Sequence, residues 1–321
     1  MKNYNDILSV APMMACTDKH CRYFHRTLSR RTFLFTEMIS YEAILNGSRK
    51  EILEFDTFEK PLALQIGGSD DKKLSEVSKI AYDFGYDEIN LNVGCPSNKV
   101  KNGNFGAILM KNPPLVARCV EAMKKASDDL PVSIKCRLGV DTQNEEEELP
   151  KFLNHVVNAG VDKVIIHARK AILCGLSPKQ NRNIPPINYS LVYDIKKEFQ
   201  NTSIHVNGEI KKLDQAKLHL KNGLDGVMIG REAYDNPSKI LLNADEKIFG
   251  DKSQKENIKD KVKLFLPYIE RELDKGTPLV NITKHLIGAF KGRRGSRNFR
   301  RIVFDKNNSF TDLIKAIEKI E

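Results

Sequence analysis

The sequence has no tryptophan, and aromatic residues fill only 7% of its 321 positions. Its six cysteines make no Cys-x-x-Cys pair and keep no regular spacing. That excludes a disulfide framework and a cysteine-built zinc site, and the thiols read as free in a reducing cytosol. No run of about eighteen apolar residues occurs, so no membrane-spanning helix is expected. The stretch Met1 to Ser9 is polar and lacks the apolar centre of a secretory signal, which points to the cytoplasm. No Gly-x-Gly-x-x-Gly follows the first strand-like run, and no low-complexity linker or internal repeat is visible. Acidic residues are in deficit: 42 Asp and Glu stand against 52 Lys and Arg, a net charge of +10. That balance favours a polyanionic partner.

What remains is an ordinary globular composition, 40% hydrophobic and 29% charged, long enough to bury a sizeable core. Eight short strand-like runs are predicted: Ile7–Ala11, Phe33–Glu37, Leu62–Ile66, Glu88–Asn92, Val132–Arg137, Lys163–His167, Ile204–Asn207 and Gly226–Ile229. Helix-like stretches alternate with them. Asp71–Phe84 lines up Leu74, Val77, Ile80, Ala81 and Phe84 on one face. Pro113–Lys125 opens on prolines, as a first helical turn tolerates. Glu145–Asn158 opens on four glutamates, which suit a helix N-terminus. Tyr189–Phe199 and Leu213–Lys221 complete the set. Eight strands alternating with helices over about 240 residues match a TIM barrel better than a doubly wound sheet. From about residue 245 the strand signal ends. Lys255–Lys275, Val280–Phe290 and Asp312–Ile320 read as helices. The expected organisation is a barrel over 1–244 followed by a small helical domain over 245–321.

In a parallel α/β fold, chemistry sits just past the carboxyl ends of the strands. Cys95 lies on such a loop, in Asn90-Leu91-Asn92-Val93-Gly94-Cys95-Pro96-Ser97. A thiol there can be a nucleophile or a proton donor; a small buried hydrophobe is the plainer reading. Other strand ends carry Pro12-Met13-Met14, Glu37, Gln65, Lys135, Arg137, His167, Arg169, Asn207-Gly208 and Gly230-Arg231. Cys136 alternates with Lys135 and Arg137, so it should face the other side of its strand and serve packing. Asn207-Gly208 and Gly230-Arg231 follow the seventh and eighth runs, where many barrels hold a phosphate. Gln65 can bond the polar edge of an isoalloxazine, Lys135 can place charge near it, and Pro12-Met13-Met14 can pack on its face. The inventory suggests a flavin mononucleotide (FMN) site.

Four motifs now carry a resemblance: Ala11-Pro12-Met13-Met14, Asn92-Val93-Gly94-Cys95-Pro96-Ser97, Lys135-Cys136-Arg137-Leu138-Gly139 and His167-Ala168-Arg169-Lys170-Ala171. Together the ordered set resembles the tRNA-dihydrouridine synthases. Gly175-Leu176-Ser177-Pro178, Asn181-Arg182 and Ile184-Pro185-Pro186 look like the A subfamily. The resemblance implies a flavin-containing barrel with a C-terminal tRNA-binding domain. It also implies NADPH-fed reduction of D-loop uridines at positions 20 and 20a of tRNA. It assigns Cys95 as the general acid. It places Pro12, Met13, Met14, Gln65, Lys135, His167, Asn207, Gly208, Glu209, Gly230 and Arg231 against FMN. It places Asn92, Lys179, Arg182, Arg297 and Arg300 against tRNA. Two departures stand out: Ala15-Cys16-Thr17-Asp18 replaces Asp-Trp-Thr-Asp, and Asn207-Gly208-Glu209 replaces Asn-Gly-Gly.

The chemistry suits these residues. Uracil C6 is conjugated to the C4 carbonyl and accepts hydride, after which an acid must protonate C5 from the opposite face. A thiol is mostly protonated at neutral pH. The base must leave its stack to reach the site, and nicotinamide is expected to dock transiently on the flavin. Two other classes stay open: a flavin barrel acting on a free pyrimidine or other small molecule, and a non-catalytic basic RNA-binding protein. The block Gly288–Arg301, with six Lys and Arg and no acid, argues against the first. No metal site is expected, and the protein is read as a monomer.

Overall fold

Strand-forming runs rich in Val, Ile and Leu recur between capped helices, and each apolar face needs a partner layer. In the computed structural model, which describes residues 6–127, 129–252 and 257–321, the runs pair in parallel. The strands are β1 (Leu8–Val10), β2 (Leu34–Phe35), β3 (Ile39–Ser40), β4 (Leu62–Gly67), β5 (Glu88–Val93), β6 (Val132–Arg137), β7 (Lys163–His167), β8 (Ser203–Asn207) and β9 (Gly226–Ile229). Their order is β1-β9-β8-β7-β6-β5-β4-β2, with β3 beside the end of β4. The ring closes where Val10 N–H donates to the Phe33 carbonyl and Phe33 N–H to the Leu8 carbonyl, each at 2.9 Å. The expected eight-stranded barrel is therefore present. Two details differ: the second strand shrinks to Leu34–Phe35, and β3 is an added edge piece. Thr36 still holds the chain to β4: its N–H donates to the Ala63 carbonyl at 3.0 Å, and its hydroxyl accepts from Gln65 N–H at 3.0 Å and donates to the Glu37 carbonyl at 2.8 Å.

Residue alternation divides every strand. Ile89, Leu91, Val93, Val132, Ile134, Cys136, Val164 and Ile166 are fully buried beneath the surrounding helices. The opposite face fills the lumen. A small apolar cluster sits there, formed by Ala11, Phe33, Phe35, Ala63, Ile165 and Met228. Beside it lie Gln65, Asn90, Asn92, Ser133 and Glu88, all buried and polar.

The helices Asp71–Asp83, Pro113–Ala126, Glu145–Asn158, Tyr189–Glu198 and Leu213–Lys221 appear where expected. Asp70, Asn112, Asn144 and Asn188 each cap one of them with a side-chain oxygen on a backbone amide. A helix not anticipated covers Lys19–Leu28. Its buried face mixes Cys21, Phe24 and Leu28 with His20, Arg22, His25 and Arg26, so no plain apolar period marks it. Asp18 caps it, accepting from Cys21 N–H at 3.0 Å.

After Ile229 every regular element among the described residues is helical. Helix Ile258–Asp274 packs on Lys19–Leu28 through a Tyr23–Tyr268 stack, ring centroids 3.9 Å apart, and a Phe24–Phe265 contact at 5.4 Å. One hydrophobic core continues across residue 244, joining barrel residues to Phe265, Ile269 and Leu313. The expected helix Val280–Phe290 is not continuous: Leu279–Thr283 passes into a tight 3₁₀ turn at Lys284–Leu286. Gly288 lies against the Asp235 carbonyl, where an added Cβ would sit 2.6 Å away, so the chain turns to meet the barrel. Ser296–Phe304 and Phe310–Glu318 follow. Met1–Asn5 of the polar N-terminal stretch, and residues 255–256 of the expected long helix, lie outside the described residues.

Candidate active site

Cys95 stands on the loop after β5 and is half-buried. The loop is pinned from several sides. Asn92 Oδ1 accepts from the Gly94 and Cys95 amides at 3.1 and 2.9 Å. The Cys95 carbonyl accepts from Ala107 N–H at 2.9 Å. Arg137 Nε donates to the Gly94 carbonyl at 3.1 Å. A Cβ on Gly94 would lie 3.2 Å from the Lys135 carbonyl, which explains why the loop presses so closely on β6. The thiol itself donates to Ser97 Oγ at 3.5 Å.

The polar lumen forms the floor beneath this loop. Asn92 Nδ2 donates to Gln65 Oε1 at 2.9 Å, and Gln65 Nε2 donates to Asn90 Oδ1 at 2.7 Å. Each carboxamide is thereby oriented, and Gln65 and Asn92 keep one N–H hydrogen apiece for a ligand. Across the mouth, half-buried Lys135 donates to Asn207 Oδ1 at 3.1 Å, while Asn207 Nδ2 donates to the Met228 carbonyl at 2.8 Å. Burial, then the neighbouring Arg137, pulls the Lys135 ammonium down to about 8. His167, at the end of β7, is held well below the usual histidine value by burial and then by Arg137, Lys135, Arg169 and Arg231. Its ring is therefore neutral at pH 7, offering one N–H and one lone pair.

The loops after β8 and β9 lie beside that ring. Gly208 has φ +123°, and a Cβ there would sit 3.0 Å from His167 Cδ2, so only glycine fits. Among the described residues, the amides of Gly208, Glu209 and Gly230 have no hydrogen-bond acceptor. Glu209 adopts φ 51°, a left-handed conformation costly for a residue with a Cβ. Its carboxylate pairs with Arg169 at 2.7 Å, a contact that offsets the strain and accounts for this departure from the expected Asn-Gly-Gly. Ala15 is also left-handed, φ 61°, and its amide donates to Glu37. Nothing in the structure explains why alanine occupies that position. Pro12 and Met13 are half-buried, and Met14 is 61% exposed at the rim.

Arg182 is half-buried with its Nε lacking a partner, and burial, then Arg231, lowers its guanidinium. Arg231 donates to Asn183 Oδ1 at 3.2 Å, tying the β7 and β9 loops together. Lys179 is exposed on the same rim. Arg297 and Arg300 are exposed on Ser296–Phe304. The mouth thus gathers Cys95, Gln65, Lys135, His167, Asn207, Gly208, Glu209, Gly230 and Arg231. Asn92 lies under the loop, buried, with its oxygen already spent. Sequence reasoning does not reach the clamp made by Arg137, which also donates to the Lys170 and Asn181 carbonyls at 3.2 and 3.1 Å. Its only signal is a charge alternating with Cys136. Cys136 is fully buried in the outer core, where burial pushes its thiol up to about 12.

A closed parallel barrel with its polar and reactive side chains past the strands' carboxyl ends defines a TIM-barrel enzyme. The barrel fold recurs in morphinone reductase in complex with tetrahydroNAD: TM-score 0.52, 10% identity, 78% of this chain and 88% of that one covered. The family model "Dihydrouridine synthase (Dus)" matches residues 9–320, and the chain belongs to that family. It is 51% identical to the tRNA-dihydrouridine(20/20a) synthase of Escherichia coli strain K12 over 311 residues, 97% of this chain and 89% of that protein. It is likewise 51% identical to the protein of the same name from Vibrio cholerae serotype O1 over 295 residues, 92% and 89% covered. The Synechocystis protein of that name is 48% identical over 298 residues, 93% and 88% covered.

Proposed function

We propose that this protein reduces uridine to 5,6-dihydrouridine in the D-loop of tRNA, at positions 20 and 20a as in the names of its relatives. A flavin at the barrel mouth and Cys95 as the acid would carry the chemistry. The observation that bears most weight is the convergence of two oriented donors, Gln65 and Lys135, beside the pinned Cys95 loop.

The residues present fit a flavin. Its phosphate would take the orphan amides of Gly208, Glu209 and Gly230 with Arg231. A Cβ on Gly230 would reach 3.5 Å from Ala11 Cβ and 3.7 Å from Met13 Sδ, so bare backbone faces Pro12-Met13-Met14. One phosphate cradle suits FMN, and NADPH is the proposed reductant. Bound there in its reduced form, the flavin would supply hydride to uracil C6.

The chain's own residues do the rest. Gln65, oriented by Asn90 and Asn92, would offer its remaining Nε2 hydrogen to the polar edge of the cofactor. Lys135, with an ammonium easily deprotonated for a lysine, supplies local positive charge at the pH of reaction. His167 orients without adding charge. Cys95 holds the proton that C5 requires, and Asn92 and Arg137 fix the loop so that this proton is delivered from one face. Lys179, Arg182, Arg297 and Arg300 would hold RNA phosphates and bases, with the remaining Asn92 hydrogen available to the flipped base. The division into a catalytic barrel over 1–244 and a tRNA-binding domain over 245–321, a monomeric state and a cytoplasmic location complete the proposal. Among the described residues no helix is long and apolar enough to cross a membrane.

The test is direct. The purified protein should be yellow, release FMN on denaturation, and reduce unmodified tRNA with NADPH far faster than free uridine. A colourless protein that FMN does not reconstitute would sink the flavin reading. Equal turnover of free uridine would favour a small-molecule reductase.

A further inference from the structure

A line of buried polar groups crosses the barrel lumen from its closed end to the Cys95 loop. At the closed end Lys163, on β7, contacts both Asp6 and Glu88. Glu88 Oε1 accepts from Ser133 Oγ at 2.5 Å. Ser133 Oγ accepts from Asn90 Nδ2 at 2.6 Å. From there the line runs through Gln65 to Asn92, and ends on the Gly94 and Cys95 amides. Glu88, Asn90 and Asn92 are alternate residues of one strand, so a single register sets three links.

From the Gly94 and Cys95 amides to Glu88 every bond points the same way, and Lys163 donates to Glu88 from the other side. At one end the backbone amides can only donate, so Asn92 must present its oxygen to them. Its nitrogen then donates to Gln65, Gln65 to Asn90, and Asn90 to Ser133. The serine hydroxyl has one hydrogen, and it goes to Glu88. A carboxylate in contact with Lys163 is an acceptor, so both ends demand the same direction. Burial raises the Glu88 carboxyl, and Lys163 opposes that rise. Ser133, Asn90 and Gln65 are essentially inaccessible to water, so no solvent molecule replaces a broken link.

We propose that Glu88 and Ser133, at the far end of the lumen, are positioning residues for the reaction: they fix the orientation of Gln65 and Asn92 and thereby hold the Cys95 loop. The inference rests on the reading of Cys95 as the acid and Gln65 as a cofactor contact, and extends that machinery across the barrel. Neither Glu88 nor Ser133 touches the reacting atoms.

Hydrogen exchange of the Gly94 and Cys95 amides tests it. In Ser133→Ala these amides should exchange roughly tenfold faster, the effect of one lost buried hydrogen bond. Exchange in the helices Glu145–Asn158 and Ile258–Asp274 should be unchanged. In tRNA reduction, kcat should fall by a similar factor, and Ser133→Thr should restore it. Thr and Val share a shape, so Ser133→Thr should keep the protection and Ser133→Val lose it, which isolates the hydroxyl from packing even if Ser133→Ala folds poorly. Wild-type protection in Ser133→Ala, or equal protection in the Thr and Val variants, would overturn the assignment. The exchange rates need neither flavin nor tRNA, so this inference and the uridine-reduction reading can fail separately.

Discussion

The barrel mouth and the helix Ser296–Phe304 are both basic, yet they hold their charges in opposite ways. At the mouth Lys135, Arg137 and Arg169 are half-buried or buried, and each donates to a named oxygen. Arg137 is pulled down to about 10 by burial, then partly restored by the nearby Cys95. On the helix, Arg297, Arg300 and Arg301 are exposed; Arg300 only reaches the Ser296 carbonyl at 3.4 Å, and Arg301 the Asn298 side chain at 3.1 Å. A buried, partnered cation sets geometry and electronics and is little screened by salt. An exposed one offers affinity for phosphate and is strongly screened. The first arrangement suits the proposed catalytic part, and the second suits the proposed grip on a polyanionic substrate.

Cys95→Ala strikes the mouth alone and carries the largest expected effect. Single-turnover reduction of tRNA should fall by about a hundred- to ten-thousand-fold, with flavin and tRNA binding retained. Near-normal turnover would remove Cys95 from the acid role. The paired change Arg297→Glu with Arg300→Glu strikes the helix alone. It should weaken tRNA binding by about a hundredfold at low salt and reduce the log–log salt slope by roughly 0.7 to 0.9 per lost phosphate contact. The flavin spectrum and NADPH oxidation should stay intact. Unchanged affinity across a salt titration would reduce this helix to a solvated surface.

Asp18 ties the loop after β1 to the turn Lys284–Leu286, and its loss is the smallest of the three effects. It follows the β1 loop, caps Lys19–Leu28, and accepts from His285 at 2.9 Å, with Lys284 3.2 Å away. Burial opposes its ionisation, but the His285 bond, the Cys21 amide and Lys284 outweigh burial and hold the carboxyl below the usual aspartate range. Asp18→Ala should cost about 2 kcal/mol at pH 7, the upper range for a lost N-cap. A carboxyl lowered in the folded state stabilises above its unfolded pKa and loses that contribution as pH falls. The gap between wild type and variant in denaturant titrations should therefore narrow below about pH 4. A gap independent of pH would mean that the carboxyl's charge contributes nothing to the joint.

Much of this was legible in one dimension. Short Val- and Ile-rich runs between capped helices spell the barrel, and Gly94-Cys95-Pro96 marks a loop at a strand end. Lys19–Leu28 was not legible, because its buried face carries histidines and arginines that only find partners in three dimensions: Arg22 on Glu59 at 2.6 Å, His20 on the Tyr268 hydroxyl at 2.8 Å. Nothing in the sequence pairs Glu209 with Arg169, which lies 40 residues away along the chain and meets it only in the fold.

The sequence by itself determined the alternation of strand and helix, the set of polar residues at the strand ends, and the block Gly288–Arg301 of positive charge with no acidic residue within it. These depend on local periodicity and composition, which the chain carries residue by residue. Only the tertiary structure decided which strand ends face one another. It decided that Asn92 spends its oxygen holding the Cys95 loop, and that Glu88 meets Lys163 across the lumen. Hydrogen-bond direction depends on closing the ring of strands in one register, and that register is set by packing all the strands together.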